Sequence, residues 1–135
     1  MLKYSLIILF TSINFLSCTP PVNQGKDCMC TMVFMSVGVT VVDQNNHEVD
    51  SLLVTVKNKL TGKVYDLGQS TNYYGNGYLV MTDNFTKDFS TTPQTITFTG
   101  IKGNAQVTAD FEITTDDCKC HINKFAGPDT LRITL

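Results

Sequence analysis

The stretch Thr95–Thr114, TITFTGIKGNAQVTADFEIT, decides the fold predicted for this 135-residue chain. Threonine alternates with apolar residues in its first half, and polar residues alternate with apolar ones in its second half. The apolar positions are Ile96, Phe98, Val107, Ala109, Phe111 and Ile113. A period of two places successive side chains on opposite faces of a strand. Because Lys102-Gly103-Asn104 is a turn signal, the stretch predicts two half-buried strands joined as a hairpin.

The same β pattern continues through the chain from Asp27 onward. Thr, Val, Ile, Phe and Tyr dominate, and no stretch carries an apolar stripe with the period of a helix. Further strands are predicted over Val37–Val41, Leu52–Lys57, Val64–Leu67, Tyr78–Thr82, Cys118–Lys124 and Thr130–Leu135. Seven or eight strands with short turns predict an all-β fold, an immunoglobulin-like two-sheet β-sandwich forming one domain over residues 28–135.

The N-terminus, MLKYSLIILFTSINFLSCTPP, has the pattern of a cleaved signal peptide. Lys3 supplies a basic start, and Tyr4–Leu16 is a mostly apolar run of thirteen residues. As a helix this run spans about 20 Å, which is too short for the ~30 Å hydrocarbon core of a bilayer. A signal peptide over residues 1–17 is therefore favoured over a membrane span and over a buried N-terminal helix.

The end of this segment, Phe15, Leu16 and Ser17 ahead of Cys18, resembles a bacterial lipoprotein signal peptide. The resemblance implies cleavage before Cys18 and lipidation of that cysteine with palmitate-type acyl chains. It also implies sorting to the outer membrane, because Thr19 rather than Asp follows the cysteine. Residues 18–27 are polar and rich in proline, which predicts a flexible tether between the lipid and the domain.

The charge balance argues against nucleic acid as a partner. Loss of Lys3 with the signal peptide leaves nine Lys and Arg against twelve Asp and Glu, a side-chain charge of −3. The chain is mildly acidic and shows no basic stripe that would follow a phosphate backbone. The partners expected are the membrane, through the lipid, and a glycan or an envelope protein.

Five cysteines leave an odd thiol in an exported protein, and assigning Cys18 to the lipid removes it. The remaining four form two CxC pairs, Cys28 with Cys30 and Cys118 with Cys120. The four thiolates could bind zinc or Cu(I), with His121 as an extra ligand. Disulfides are favoured over such a metal site, because the envelope is oxidising and zinc sites usually use CxxC. A redox role would normally use CxxC at a helix N-terminus, and the sequence shows neither feature. No metal and no cofactor is expected.

Three connectivities are possible for these four cysteines. When two antiparallel strands pair in register, the numbers of any two opposed residues add to the same sum. Cys28–Cys120 and Cys30–Cys118 share one sum, so both pairs fit this arrangement. A parallel arrangement would instead join Cys28 to Cys118 and Cys30 to Cys120. Bridges within each CxC would close strained small rings. The antiparallel pairing is expected, and closing a loop of about ninety residues contributes ~4 kcal/mol in the chain-entropy model.

No catalytic set can be read from the sequence, so an enzyme is not expected. His121 is interpreted as a strand residue beside the bridges, and His47, the other histidine, as a solvated loop residue. Asp116-Asp117, with Asp43 or Asp83 from other loops, offers oxygen ligands for Ca²⁺. The QNNHE loop nevertheless lacks the glycine and terminal glutamate of a dedicated calcium loop. Solvated carboxylates are therefore the expectation.

Tyr73 and Tyr74, beside the Asn76-Gly77 turn, form the most promising binding surface in the sequence. Exposed aromatic side chains on a loop can stack on sugar rings or anchor a protein partner. The alternative is packing in the core, which is the usual role of aromatic clusters in sandwiches and is expected for Tyr78.

Three segments carry a family resemblance: VTVVDQNNHEV over residues 39–49, LLVTVKNKLTG over 52–62 and STNYYGNGYLV over 70–80. They resemble the carboxypeptidase-regulatory-like, transthyretin-like β-sandwich, in which a strand ends in Asp and a later segment carries Gly-Tyr. Asp43 and Gly77-Tyr78 match that pattern, while Asn45-Asn46 replaces the glycine of the first turn. The resemblance implies a domain with structural motifs and no catalytic residues.

Together these observations predict a lipid-anchored cell-envelope protein at the outer membrane, acting as a non-enzymatic structural or binding module. Two alternatives stay open at this point. One is an adhesin-like module that binds a glycan or a protein through Tyr73 and Tyr74. The other is a metal-handling envelope protein that uses the two CxC pairs.

Overall fold

The computed structural model describes residues 27–68 and 77–135, which are mostly β-structure. The strands within them are β1 Ser36–Val42, β2 Leu53–Asn58, β3 Val64–Tyr65, β4 Tyr78–Thr82, β5 Gln94–Lys102, β6 Ala105–Thr115, β7 Ile122–Ala126 and β8 Thr130–Arg132. A 3-10 helix, Asp83–Asp88, follows β4. The predicted all-β class is confirmed. No helix in this part of the chain is long and apolar enough to cross a membrane.

The strands form two sheets. The smaller has the order β4-β1-β8, with β1 antiparallel to β4 and parallel to β8. The larger has the order β3-β2-β5-β6-β7 and is antiparallel throughout. Because the chain passes repeatedly from one sheet to the other, neither sheet forms from a single continuous segment.

The hairpin predicted from Thr95–Thr114 lies within the larger sheet and is confirmed. β5 and β6 pair along their length and end with Lys102 opposite Ala105. Gly103 makes the turn with a φ of +59°, a left-handed conformation that glycine adopts without steric cost. Across the hairpin, the Thr97 hydroxyl donates to the Asp110 carboxylate at 2.6 Å.

A single hydrophobic core joins the two sheets. Its members with the least exposure include Val39, Val41, Val80 and Met81 from the smaller sheet and Ile96, Phe98, Phe111 and Ile113 from the hairpin. A fully buried side chain of this size contributes roughly 1.5–3 kcal/mol relative to the same side chain in water. The core therefore holds the sheets together, and the alternating pattern of the sequence supplies it.

Several elements differ from the prediction. β3 ends at Tyr65 rather than Leu67, and β8 ends at Arg132 rather than Leu135. The strand predicted over Cys118–Lys124 begins only at Ile122, because Lys119 has a φ of +55° and interrupts the extended backbone. The connection after β4 contains the 3-10 helix, whose Phe85 ring lies edge-on to the Tyr65 ring at 5.0 Å. A helix of six residues is too short for periodicity to reveal.

Candidate functional site

The two CxC pairs form two disulfides, which confirms that these four cysteines bridge. Cys28 joins Cys118 and Cys30 joins Cys120, with Cα atoms 5.5 and 5.3 Å apart. The expected antiparallel pairing, Cys28–Cys120 with Cys30–Cys118, is therefore wrong. Its premise fails, since neither CxC pair lies on a strand and Lys119 has a left-handed backbone.

The Cys30–Cys120 bridge brings together the residues that follow its two cysteines, Thr31 and His121. The Thr31 hydroxyl oxygen lies 2.8 Å from His121 Nε2. On the other side of the ring, His121 Nδ1 lies 2.7 Å from Oδ2 of Asp83, the residue directly after β4. Because a carboxylate only accepts hydrogen bonds, Nδ1 carries a proton and donates to Asp83. In the neutral imidazole, Nε2 then accepts from the Thr31 hydroxyl.

The Asp83 side chain connects three segments of the chain. Its Oδ2 also accepts from the Met35 N–H at 2.8 Å, and its Oδ1 accepts from the Ile122 N–H at 2.8 Å. The Asp83 N–H in turn donates to the Met35 carbonyl at 3.1 Å. The side chain is only 9 % exposed. One carboxylate thus joins the segment before β1, the end of β4 and the start of β7.

The environment of Asp83 lowers the pKa of its carboxyl group. Burial alone would raise this pKa, but hydrogen bonds from His121 and from the N–H groups of Met35 and Ile122 favour the charged form more strongly. Asp83 is therefore ionised at neutral pH. The expectation that Asp83 is a solvated loop carboxylate is wrong, because backbone donors from two distant segments surround it.

Asp116 holds the turn that carries the later cysteines. Its Oδ1 accepts from the Cys120 N–H at 2.9 Å, and its Oδ2 accepts from the His121 N–H at 3.1 Å. We call Thr31, Asp83, Asp116 and His121 the polar lock. Together they hold the segment before β1 against the end of β4 and against the turn before β7.

The polar lock contains a hydroxyl, an imidazole and a carboxylate in the order that serine hydrolases use. Sequence reasoning missed this set, because Thr31 and Asp83 lie 90 and 38 residues from His121 along the chain. One signal was present in the sequence. Thr31 and His121 stand at the same position relative to their CxC pairs, directly after the second cysteine.

Metal binding finds little support in residues 27–68 and 77–135. No group of three His, Cys, Asp or Glu side chains in these ranges is placed to hold an ion. The four bridged cysteines carry no thiolate, which zinc or Cu(I) would need. Asp43, considered beside Asp83 as a calcium ligand, instead accepts from the N–H groups of Asn45 and His47 in its own loop, at 2.7 and 2.9 Å.

Tyr73 and Tyr74 lie outside the described residues. Tyr78, expected in the core, is buried there, and its hydroxyl donates to the Val49 carbonyl at 2.8 Å. A surface cavity of about 440 Å³ lies beside the residues that precede and follow positions 69–76. Its lining residues are Phe34, Asp66, Leu67, Gly68, Leu79, Thr82 and Asn84. Two other surface cavities are of similar volume, so size alone does not single out this one.

No protein-family model, curated protein or solved structure matches this chain. Its function has to be inferred from the disulfides, the polar lock and the surface beside them.

Peptide mapping without reductant is expected to show Cys28 joined to Cys118 and Cys30 joined to Cys120. The chain offers a cleavage point inside each CxC pair, since cyanogen bromide cuts after Met29 and trypsin cuts after Lys119. The peptide ending at Met29 should be linked to the peptide ending at Lys119. The peptide beginning at Cys30 should be linked to the one beginning at Cys120. A crossed product would contradict this connectivity.

Replacing Asp83 by Asn is expected to lower the free energy of unfolding by about 2 kcal/mol at neutral pH, because charge-assisted hydrogen bonds lose their charged acceptor. A carboxyl whose pKa is lowered by folding stabilises the folded state above its unfolded pKa of about 4. That contribution is lost as the pH falls through the folded pKa. Urea unfolding over a pH series should therefore show the two proteins converging below pH ~4.

Asp50→Asn is the matched control for this variant. The pKa of Asp50 is also lowered, by its hydrogen bond from the Lys102 ammonium at 2.9 Å, but this pair is exposed. Exposed ion pairs contribute little to stability. Asp50→Asn should unfold at nearly the wild-type urea concentration at every pH, and an equal loss in both variants would contradict the role assigned to Asp83.

Proposed function

We propose that this chain is an exported, lipid-anchored β-sandwich protein of the outer membrane, acting as a non-enzymatic structural or binding module. The observation that carries the proposal is the state of the cysteines. Cys28, Cys30, Cys118 and Cys120 pair with one another, which leaves Cys18 over from the five in the sequence. An unpaired cysteine in an exported chain calls for a separate role, and the residues before Cys18 resemble a lipoprotein signal peptide.

The disulfides support a location outside the cytoplasm. Such bonds persist in oxidising compartments, whereas cytosolic thiols are kept reduced. Each bridge joins positions 90 residues apart, so each ties the start of the domain to its last third. In the chain-entropy model the first of two such bridges contributes ~4 kcal/mol, and the second, beside it, contributes less.

The polar lock supports a structural role better than a catalytic one. Both carboxylate oxygens of Asp83 and both of Asp116 accept backbone N–H groups. In a catalytic triad the carboxylate orients its histidine and stabilises the imidazolium that forms. Asp83 and Asp116 in addition hold several chain segments in place. Thr31, at the exposed end of the lock, belongs to one of the segments being held.

The finer description of the fold belongs to the same proposal. We take the domain to be an immunoglobulin-like or transthyretin-like sandwich related to carboxypeptidase-regulatory-like domains. Two sheets around one core support this description. So does the placement of the resembling residues, since β1 ends just before Asp43 and β4 begins at Tyr78.

Metabolic labelling with an alkyne fatty acid tests the anchor. The full-length chain, expressed in a Gram-negative host, should incorporate the label and fractionate with the outer membrane. Cys18→Ser should lose the label and accumulate as an uncleaved precursor. Cys28→Ser, which breaks a disulfide and leaves Cys18 in place, should keep the label. Failure of the wild-type chain to label, or labelling of Cys18→Ser, would refute lipidation at Cys18.

An ester-hydrolysis assay tests the non-enzymatic assignment. In a catalytic lock the Thr31 hydroxyl would attack the ester carbonyl while His121 accepted the hydroxyl proton. We expect wild type and Thr31→Ala to hydrolyse a nitrophenyl ester at the same rate. A rate that falls in both Thr31→Ala and His121→Gln, with the melting temperature unchanged in Thr31→Ala, would overturn the assignment.

A further inference from the structure

The segment Met29–Met35, which we call the apolar strap, is exposed although it is largely apolar. Its large side chains are Met29, Met32, Val33, Phe34 and Met35, with exposures between 42 % and 105 %. The chain carries no charged residue between Asp27 and Asp43. A contiguous exposed apolar patch of this kind usually marks a surface that another molecule covers.

The strap is held in its exposed position by its backbone. Cys28 and Cys30 fix its start through the two disulfides. Met35 fixes its end through the hydrogen bonds with Asp83. Met29 and Met32 lie between these fixed points, almost fully in water, where apolar side chains are unfavourable. The exposure is therefore imposed by the fold and does not come from a loose chain end.

The distance from the proposed lipid anchor indicates what covers the strap. Cys28 is ten residues from Cys18. Ten residues reach at most about 35 Å when fully extended and roughly 18 Å on average as a flexible chain. A lipid at Cys18 therefore keeps the strap beside the bilayer surface at a high effective concentration.

We infer that the apolar strap docks on a phospholipid bilayer, with Met29, Met32 and Phe34 entering the boundary between headgroups and acyl chains. The inference rests on the proposed lipid anchor, which supplies the proximity. Methionine is unbranched and adaptable, and apolar side chains at this boundary gain from leaving water.

Elsewhere in the described residues the exposed large apolar side chains form no comparable run along the chain, although Leu53 and Ile101 are opposed across β2 and β5. These side chains are Leu53, Leu60, Val64, Ile101, Phe125 and Leu135. They are distributed over β2, β3, β5, β7, the β2–β3 turn and the C-terminus. Of these, Leu60 and Phe125 are strongly exposed and separate from the strap in sequence, so they provide matched controls.

A fluorescence experiment can detect docking directly, because the chain contains no tryptophan and Phe34→Trp supplies a single reporter in the strap. The mature chain, residues 18–135, is coupled through the Cys18 thiol to a maleimide lipid in phosphatidylcholine vesicles. The bridged cysteines do not react. Docking should shift the tryptophan emission to the blue and make it sensitive to quenching by brominated lipids. The same chain coupled to a soluble maleimide should show neither effect.

Paired variants, all made in the reporter background, identify the side chains responsible. Met29→Gln with Met32→Gln should abolish the blue shift and weaken vesicle binding of the uncoupled chain by roughly tenfold or more. Met29→Leu with Met32→Leu should keep both signals, because leucine retains the apolar surface. Leu60→Gln with Phe125→Gln should match the reporter chain. The melting temperature of each variant shows that the domain remains folded.

Two results would overturn the inference. One is an emission spectrum that is the same for the chain coupled to vesicles and for the chain coupled to a soluble maleimide. The other is a blue shift without lipid that grows with protein concentration, because a second copy would then cover the strap. The maleimide lipid replaces the natural anchor, so this experiment does not depend on lipidation in cells. If the strap docks on vesicles but the chain incorporates no fatty-acid label in cells, the lipid anchor is refuted and the docking inference is not.

Discussion

The Cys30–Cys120 disulfide is the constraint on which the N-terminal part of this structure depends. It joins positions 90 residues apart and places the residues that follow them, Thr31 and His121, in hydrogen-bond contact. Asp83 completes the connection from the end of β4. Through these contacts the apolar strap follows a fixed path although it belongs to neither sheet. One covalent bond therefore helps to determine both where the polar lock forms and where the strap stays exposed.

The strap and the sheets are stabilised by different forces. The sheets are held by a hydrophobic core and by backbone ladders, which alternating sequence patterns produce. The strap is held by two disulfides and by the Asp83 carboxylate, which is ionised at neutral pH. Such ties are needed because the hydrophobic effect would otherwise favour collapse of exposed methionines onto any apolar surface. Covalent and electrostatic contacts thus keep apolar side chains accessible.

Period-two alternation carries most of the information about the sheets. The central hairpin has the strands and the turn that alternation predicts. β4, which is buried at every position and does not alternate, begins at Tyr78 and ends at Thr82 as predicted from its place after the Asn76-Gly77 turn signal. Local patterns could not give the disulfide pairing, because a register argument assumes extended backbone and Lys119 is left-handed. They could not give the polar lock either, because Asp83 takes its role from residues far away in sequence. Both failures lie in irregular chain, where no periodicity exists to be read.

A lipid tether and a docked strap together would fix the orientation of the domain as well as its distance from the membrane. A flexible tether alone leaves the domain free to rotate. The proposed tether would supply an effective concentration on the order of millimolar, so a second contact with a Kd near 1 mM, about 4 kcal/mol, would be half occupied. Partial burial of Met29, Met32 and Phe34 is sufficient for that, since complete burial of one such side chain contributes roughly 1.5–3 kcal/mol. The rest of the domain would then face away from the bilayer at a constant angle.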